Sequence, residues 1–182
     1  CHNPELVIPD LFEAQIPEEI VVSFLTGRLD QLDGIVISGG EPTLQPDLIS
    51  FLRDIRSMGY CVKLDTNGSR PDVLEDIFSD SLVDYVAMDI KAPLDKYRTL
   101  AGVPVSVKAV ARSIRLITEA DIECEFRTTF DTARLTREDI DVIQDTVAKS
   151  DYHVQECIYR REKPAVTTYH PAPADLSGEN IA

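Results

Sequence analysis

The chain has 182 residues, 43% of them hydrophobic, enough for one globular domain with a substantial core. A formal charge of −14 argues against a nucleic-acid partner, because nothing in that balance would displace counterions from a phosphate backbone; a basic protein surface is easier to match. No window approaches about 18 consecutive apolar residues and no basic-then-apolar leader is visible, so neither a membrane span nor secretion is expected, and the expectation is a cytoplasmic protein.

In chain order, Pro17 to Thr26 places Ile20, Val21, Phe24 and Leu25 at helical spacing and stops at Gly27. Leu32 to Ile37 reads as a strand, and Pro46 to Met58 as a helix through Leu48, Ile49, Leu52 and Ile55. Tyr60 to Leu64 is a strand, followed by a short helix from Pro71 to Phe78 with proline in its first turn. The alternation repeats: strand Tyr85 to Ile90, helix Ser106 to Ala120, strand Ile122 to Phe130. A helix from Thr136 to Ala148 then opens on a capping-box pattern, Thr136 with Asp139, and Tyr152 to Tyr159 is the last strand. Repeated strand–helix units imply parallel strands joined by right-handed crossovers. Residues 1–160 form this core; residues 161–182, with Pro164, Pro171 and Pro173 and little periodicity, read as a tail or wrapping segment.

Cys61, Cys124 and Cys157 lie in apolar strand-like runs and read as small buried hydrophobes; their spacing suits no disulfide framework. Cys1 stands apart. A chain that starts with Cys rather than Met reads as a processed or truncated piece; a lipoprotein would also begin this way, but the residues that follow fit a different explanation.

Parallel α/β folds place ligands at the carboxyl ends of their strands. Those ends read Ser38-Gly39-Gly40-Glu41-Pro42, Asp65-Thr66-Asn67-Gly68, Asp89-Ile90-Lys91, Arg127-Thr128-Thr129 and Gln155-Glu156. Each alone passes for a turn or cap; together they make a polar rim. Alternation puts Asp89 and Lys91 on one side of their strand, a buried pair or a ligand site, of which the ligand site is favoured. Gly39 and Gly40 leave backbone groups exposed, and Glu41, stiffened by Pro42, offers an acceptor for an ammonium group. An amino acid-like ligand suits such a turn.

At this point the sequence resembles the radical S-adenosylmethionine superfamily, and within it the glycyl-radical-activating branch, which includes the activases of anaerobic ribonucleotide reductase and pyruvate formate-lyase. The resemblance rests on Cys1-His2-Asn3-Pro4-Glu5-Leu6, "SGGEPTLQ" at 38–45, "KLDTNGS" at 63–69 and "VDYVAMDIKAP" at 83–93, and more loosely on "ECEFRTTF" at 123–130. It implies an α/β fold, a partial (β/α)6-type parallel barrel, here lacking its first strand and most of the cluster loop. It implies a [4Fe–4S] cluster on three cysteines spaced C-x3-C-x2-C, reductive cleavage of S-adenosylmethionine to a 5′-deoxyadenosyl radical, and a glycyl radical left on a partner enzyme. Flavodoxin or ferredoxin would be the electron donor. By position, Cys1 would be the third cluster cysteine, and Cys61, Cys124 and Cys157 could not replace the other two. Ser38, Gly39, Gly40 and Glu41 would hold the methionine amino group, Lys91 its carboxylate, and Arg127 would lie near the sulfonium. Asp65, Thr66 and Asp89 would help bind a monovalent cation. Without the first two cysteines the polypeptide as given is expected to be inactive. Three other readings stand beside this one: a radical enzyme acting on a small molecule or another peptide, a degenerate barrel that only binds a nucleotide or partner, and an unrelated barrel using Glu41, Asp65 and Asp89 as metal ligands.

Overall fold

The computed structural model describes residues 6, 8–12, 14–101, 105–148 and 150–157. Its centre is an all-parallel sheet of β1 (Gly34–Ile37), β2 (Cys61–Thr66), β3 (Tyr85–Asp89), β4 (Glu123–Phe130) and β5 (Asp151–Glu156), paired in that order. Sequential order with every neighbour parallel is the arrangement of an opened barrel, and it confirms the expected α/β fold. The crossovers carry α2 (Leu48–Ser57), α3 (Pro71–Ser79), α5 (Val107–Glu119) and α6 (Arg137–Thr146); α1 (Glu18–Thr26) precedes β1. A short helix, α4 (Tyr97–Leu100), lies in the loop after β3 and has no periodic signature in the sequence.

Alternation divides the sheet into two faces of different chemistry. Val62, Leu64, Val86, Met88, Phe126 and Phe130 are buried on one side and join Leu52, Ile55, Leu74, Ile77, Val110, Ile117 and Ile143 of the helices in a single core. Each fully buried Leu or Ile contributes roughly 1.5–3 kcal/mol relative to exposure. The other side carries Cys61, Lys63, Asp65, Tyr85, Asp89, Glu125, Arg127 and Thr129 at exposed or partly buried positions. Ala87 is the exception on this open face, fully buried and in register with Asp65 on one side and Glu125 on the other.

Several boundaries shift from expectation for local reasons. The first strand begins at Gly34 rather than Leu32, and Leu32 is exposed. Tyr60 stays outside β2, its ring buried and its hydroxyl donating to the carbonyl of Leu25 at 2.7 Å, so it fastens α1 to the sheet. Thr136 caps α6 by the expected capping box with Asp139. Ser106 caps α5, its hydroxyl accepting the Ala109 N–H. The apolar residues of α1 face outward more than their spacing predicted: Leu25 is buried, Ile20 and Phe24 are exposed, and Arg28 lies over the Phe24 ring. Cys61 is not the buried hydrophobe expected of it. It falls on the open face of β2 and is exposed, whereas Cys124 and Cys157 are partly buried. Cys1, residues 158–160 of the expected last strand and core, and the tail at 161–182 lie outside the described residues.

Candidate functional site

The carboxyl ends of β1 to β4 meet around one cavity of about 250 Å³, lined by Ser38, Gly39, Gly40, Glu41, Asp65, Thr66, Asn67, Asp89, Lys91 and Arg127. Every site residue expected from the described part of the sequence is on this wall. Asn67 joins them, within a strand end already marked as polar. Gln155 and Glu156, at the end of β5, do not line it. A larger apolar groove of about 740 Å³, walled by Phe12, Ile16, Val21, Leu48 and Phe51, shares the Ser38–Glu41 turn with the cavity.

The turn after β1 is built by Gly39 and Glu41. Gly39 has φ +143°, a backbone state that L side chains rarely adopt, while a Cβ there would meet nothing within 4 Å. Glycine is therefore required by the chain path, and it leaves the neighbouring backbone open toward the cavity. Glu41 is buried, and its carboxylate is occupied by the protein itself. Oε1 accepts the Thr43 N–H at 3.2 Å, the Thr66 hydroxyl at 2.7 Å and the Thr43 hydroxyl; Oε2 accepts the Asn67 N–H at 2.6 Å. The sequence reading gave this side chain to an ammonium group. The geometry makes it first a staple between the β1 and β2 turns, because an acceptor-only group is the one that satisfies converging N–H and O–H donors.

The turn after β2 is fixed by close packing. Gly68 has φ +70°, and a Cβ there would lie 2.1 Å from Cε of the buried Met88. Its carbonyl accepts the Ser113 hydroxyl at 2.7 Å, and Asn67 Oδ1 accepts the Ser69 N–H at 2.9 Å. Asp65 projects from the open face beneath this turn. Its Oδ2 accepts from the Ser38 hydroxyl at 3.3 Å and lies 3.5 Å from the Arg127 guanidinium. Its Oδ1 is buried with no hydrogen bond.

Asp89 is held from two sides: Arg127 Nε donates to Oδ1 at 3.1 Å and Lys91 Nζ to Oδ2 at 3.0 Å. The same-side placement of Asp89 and Lys91 is thus realised, as a partly exposed ion pair on the cavity wall. The buried Tyr97 hydroxyl accepts the Lys91 N–H at 3.2 Å, which gives the short helix α4 a part in placing Lys91. Burial pushes the Tyr97 phenol above its ordinary range. For Arg127, burial opposes the charge, but Asp89, Asp65 and Glu125 outweigh it and raise the group above its ordinary value. Lys63 and Glu125, which sequence reasoning missed, lie on the same open face two residues before Asp65 and Arg127. The period of two along each strand was the available signal.

Chemically, the wall offers open backbone for an ammonium, Lys91 for a carboxylate, and the Asp65 and Asp89 carboxylates for a cation. A cationic amino acid-like ligand fits that donor set, and Asp65, one of whose oxygens has no hydrogen bond, keeps acceptor capacity on the cavity wall. No group of His, Cys, Asp and Glu able to hold a metal ion exists among the described residues, so the reading of Glu41, Asp65 and Asp89 as ligands of a catalytic metal gains no support. Cys1, the expected cluster ligand, lies outside the described residues.

The profile of the Radical SAM superfamily matches residues 1–146. A Methanocaldococcus jannaschii protein named provisionally as a glycyl-radical enzyme activating enzyme is 40% identical over 165 residues, covering 86% of this chain and 66% of its own length. A 7-carboxy-7-deazaguanine synthase of Neisseria meningitidis is 34% identical over 104 residues, 56% of this chain and 43% of that protein. The chain thus spans less than two thirds of these curated relatives. A domain of pyruvate-formate lyase-activating enzyme from Bacteroides vulgatus superposes with a TM-score of 0.56 at 21% identity, over 73% of this chain and 86% of that one, a likeness of fold. A parallel sheet in sequential order, a polar cavity at its carboxyl rim and a profile match over residues 1–146 place this chain in the radical S-adenosylmethionine superfamily.

Proposed function

We propose that this chain is the S-adenosylmethionine-binding core of an activating enzyme that installs a glycyl radical on a partner protein, with an electron donor of the flavodoxin or ferredoxin kind. The observation that carries the reading is the convergence of Gly39, Gly40, Asp65, Thr66, Asp89, Lys91 and Arg127 on one cavity. The 40% identical relative supports the activase branch. A [4Fe–4S] cluster and S-adenosylmethionine supply one-electron cleavage of the sulfonium and, through it, hydrogen-atom abstraction.

The residues of this chain bind and orient. The open backbone at Gly39 and Gly40, with Ser38 beside it, receives the amino group, while Glu41 holds that turn against β2 and keeps capacity on Oε2 for a direct contact. Lys91 receives the carboxylate, and Arg127 stands near the sulfonium as a polar clamp fixed by its own carboxylates. Asp65, Thr66 and Asp89 provide oxygen donors for a monovalent cation beside the ligand. Cys1 would serve as one cluster ligand.

The test is anaerobic reconstitution of the full-length protein followed by reduction. About four irons per chain and 5′-deoxyadenosine formation are expected from the cluster type, with a glycyl radical signal on the partner by electron paramagnetic resonance. Iron incorporation without 5′-deoxyadenosine would refute the reading. The likeness to 7-carboxy-7-deazaguanine synthases favours a second reading, a small-molecule substrate. In that case S-adenosylmethionine cleavage would be stimulated by a small molecule and not by the partner protein.

A further inference from the structure

Two charged side chains beneath the cavity have no role in the reading above. Lys63 Nζ lies 3.0 Å from Glu125 Oε1 but 4.0 Å from Asp65 Oδ1, the buried oxygen without a hydrogen bond. The same ammonium sits 4.8 Å from the centre of the Tyr85 ring. Arg127 also reaches Glu125 at 3.8 Å, and the His153 imidazole Nε2 lies 3.5 Å from its Oε2. With 14% of its side chain exposed, it is the least accessible member of these pairs. Lys63 therefore stands between two carboxylates and is bonded to the one outside the cavity.

We infer that Glu125 is a positioning residue: by holding Lys63 it keeps that ammonium off Asp65, whose carboxylate then faces a cationic ligand in the cavity. The inference rests on the proposed function for the identity of that ligand, a sulfonium. A Lys ammonium rides on a flexible four-carbon stem, and closing from 4.0 Å to hydrogen-bond range requires a movement of about 1 Å. Once Lys63 is bonded to Asp65, whose other oxygen already lies 3.5 Å from Arg127, the carboxylate presents less negative charge to the cavity. A sulfonium loses attraction to it, whereas a thioether of the same shape, having no charge, does not.

The discriminating measurement is calorimetric binding of S-adenosylmethionine and of its neutral thioether analogue S-adenosylhomocysteine. It uses the anaerobically reconstituted full-length protein without reductant. Glu125→Ala should weaken the sulfonium relative to the thioether by about tenfold, the scale of one charge interaction altered near the ligand. Lys63→Met in that background should restore the wild-type ratio, because the displaced ammonium is gone. Glu125→Gln, which keeps an oxygen for Lys63, should shift the ratio in the same direction by less and serves if the alanine variant fails to fold. Equal weakening of both ligands, an unchanged ratio, or no restoration by Lys63→Met would overturn the inference alone. A wild-type protein that binds neither ligand would overturn the inference and the proposed function together.

Discussion

Glu41→Gln is the sharpest perturbation of the site, because it changes chemistry and leaves shape. The hydroxyls of Thr43 and Thr66 can rotate to other acceptors, but the N–H groups of Thr43 and Asn67 cannot, and they bond different oxygens of the carboxylate. Glutamine provides one oxygen and sets its NH2 against whichever N–H remains. A buried donor left without an acceptor costs about 1–3 kcal/mol, and the loss of charge assistance on the remaining bond brings the total to roughly 2–4 kcal/mol. For a domain of this size that corresponds to a fall in Tm of about 5–15 °C. Thermal and urea melts of the two proteins measure it. Thr66→Val, which deletes the donor to Glu41 and also the acceptor of the Gly68 N–H at 3.1 Å, should cost about 2–4 kcal/mol on the same scale. A Glu41→Gln protein melting within about 1 °C of wild type would refute the staple on this scale of magnitudes and return Glu41 to a role in ligand contact alone.

Gly68→Ala should destabilise by about 2–4 kcal/mol, from left-handed backbone strain and overpacking. A double-mutant cycle with Met88→Ala should recover part of the loss, since Met88 Cε occupies the space a Cβ would take. Lys91→Ala should weaken S-adenosylhomocysteine binding by about tenfold, as expected for one charged hydrogen bond at a partly exposed group, and an unchanged affinity would remove Lys91 from the carboxylate site. Asp139 accepts from Lys96 at 2.7 Å and from the Thr136 N–H at 3.1 Å, and these contacts, Lys96 first, hold its carboxyl below the usual aspartate range. A depressed folded value gives stability that is present above the unfolded value of about 3.9 and is lost as pH falls through the folded one. Asp139→Asn should therefore lower Tm at pH near 7, and its deficit should shrink in melts taken below about pH 4.

The strand–helix alternation was legible because each crossover presents a change of period from two to about 3.6. The rim was legible because polar residues at Ser38–Glu41, Asp65–Asn67, Asp89–Lys91 and Arg127 interrupt strands that are otherwise apolar or alternate. What sequence could not convey was adjacency. Glu41 looks like a free acceptor until the β1 and β2 turns are side by side and Thr66 and Asn67 turn their donors to it. Cys61 looks like a core residue until the face of β2 on which it falls proves to be the uncovered one. Lys63 and Glu125 are 62 residues apart, and only the register through Tyr85 and Ala87 brings them together. The short helix at Tyr97 has no periodic face to read, yet it supports Lys91.

The sequential strand order also has a kinetic meaning. Each βα unit pairs with the one made before it, so the sheet can grow from its first described strand as the chain emerges from the ribosome. The bonds of Glu41 to Thr66 and Asn67 span 25 and 26 residues and can close once the β2 turn is out. The Arg127–Asp89 and Lys63–Glu125 pairs span 38 and 62 residues and must wait for β4. Loop-closure entropy orders these events the same way. The Gly39–Glu41 turn would thus be rigid before the charged floor beneath it exists, and destabilising the Glu41 contacts should slow folding more than equal damage at Glu125.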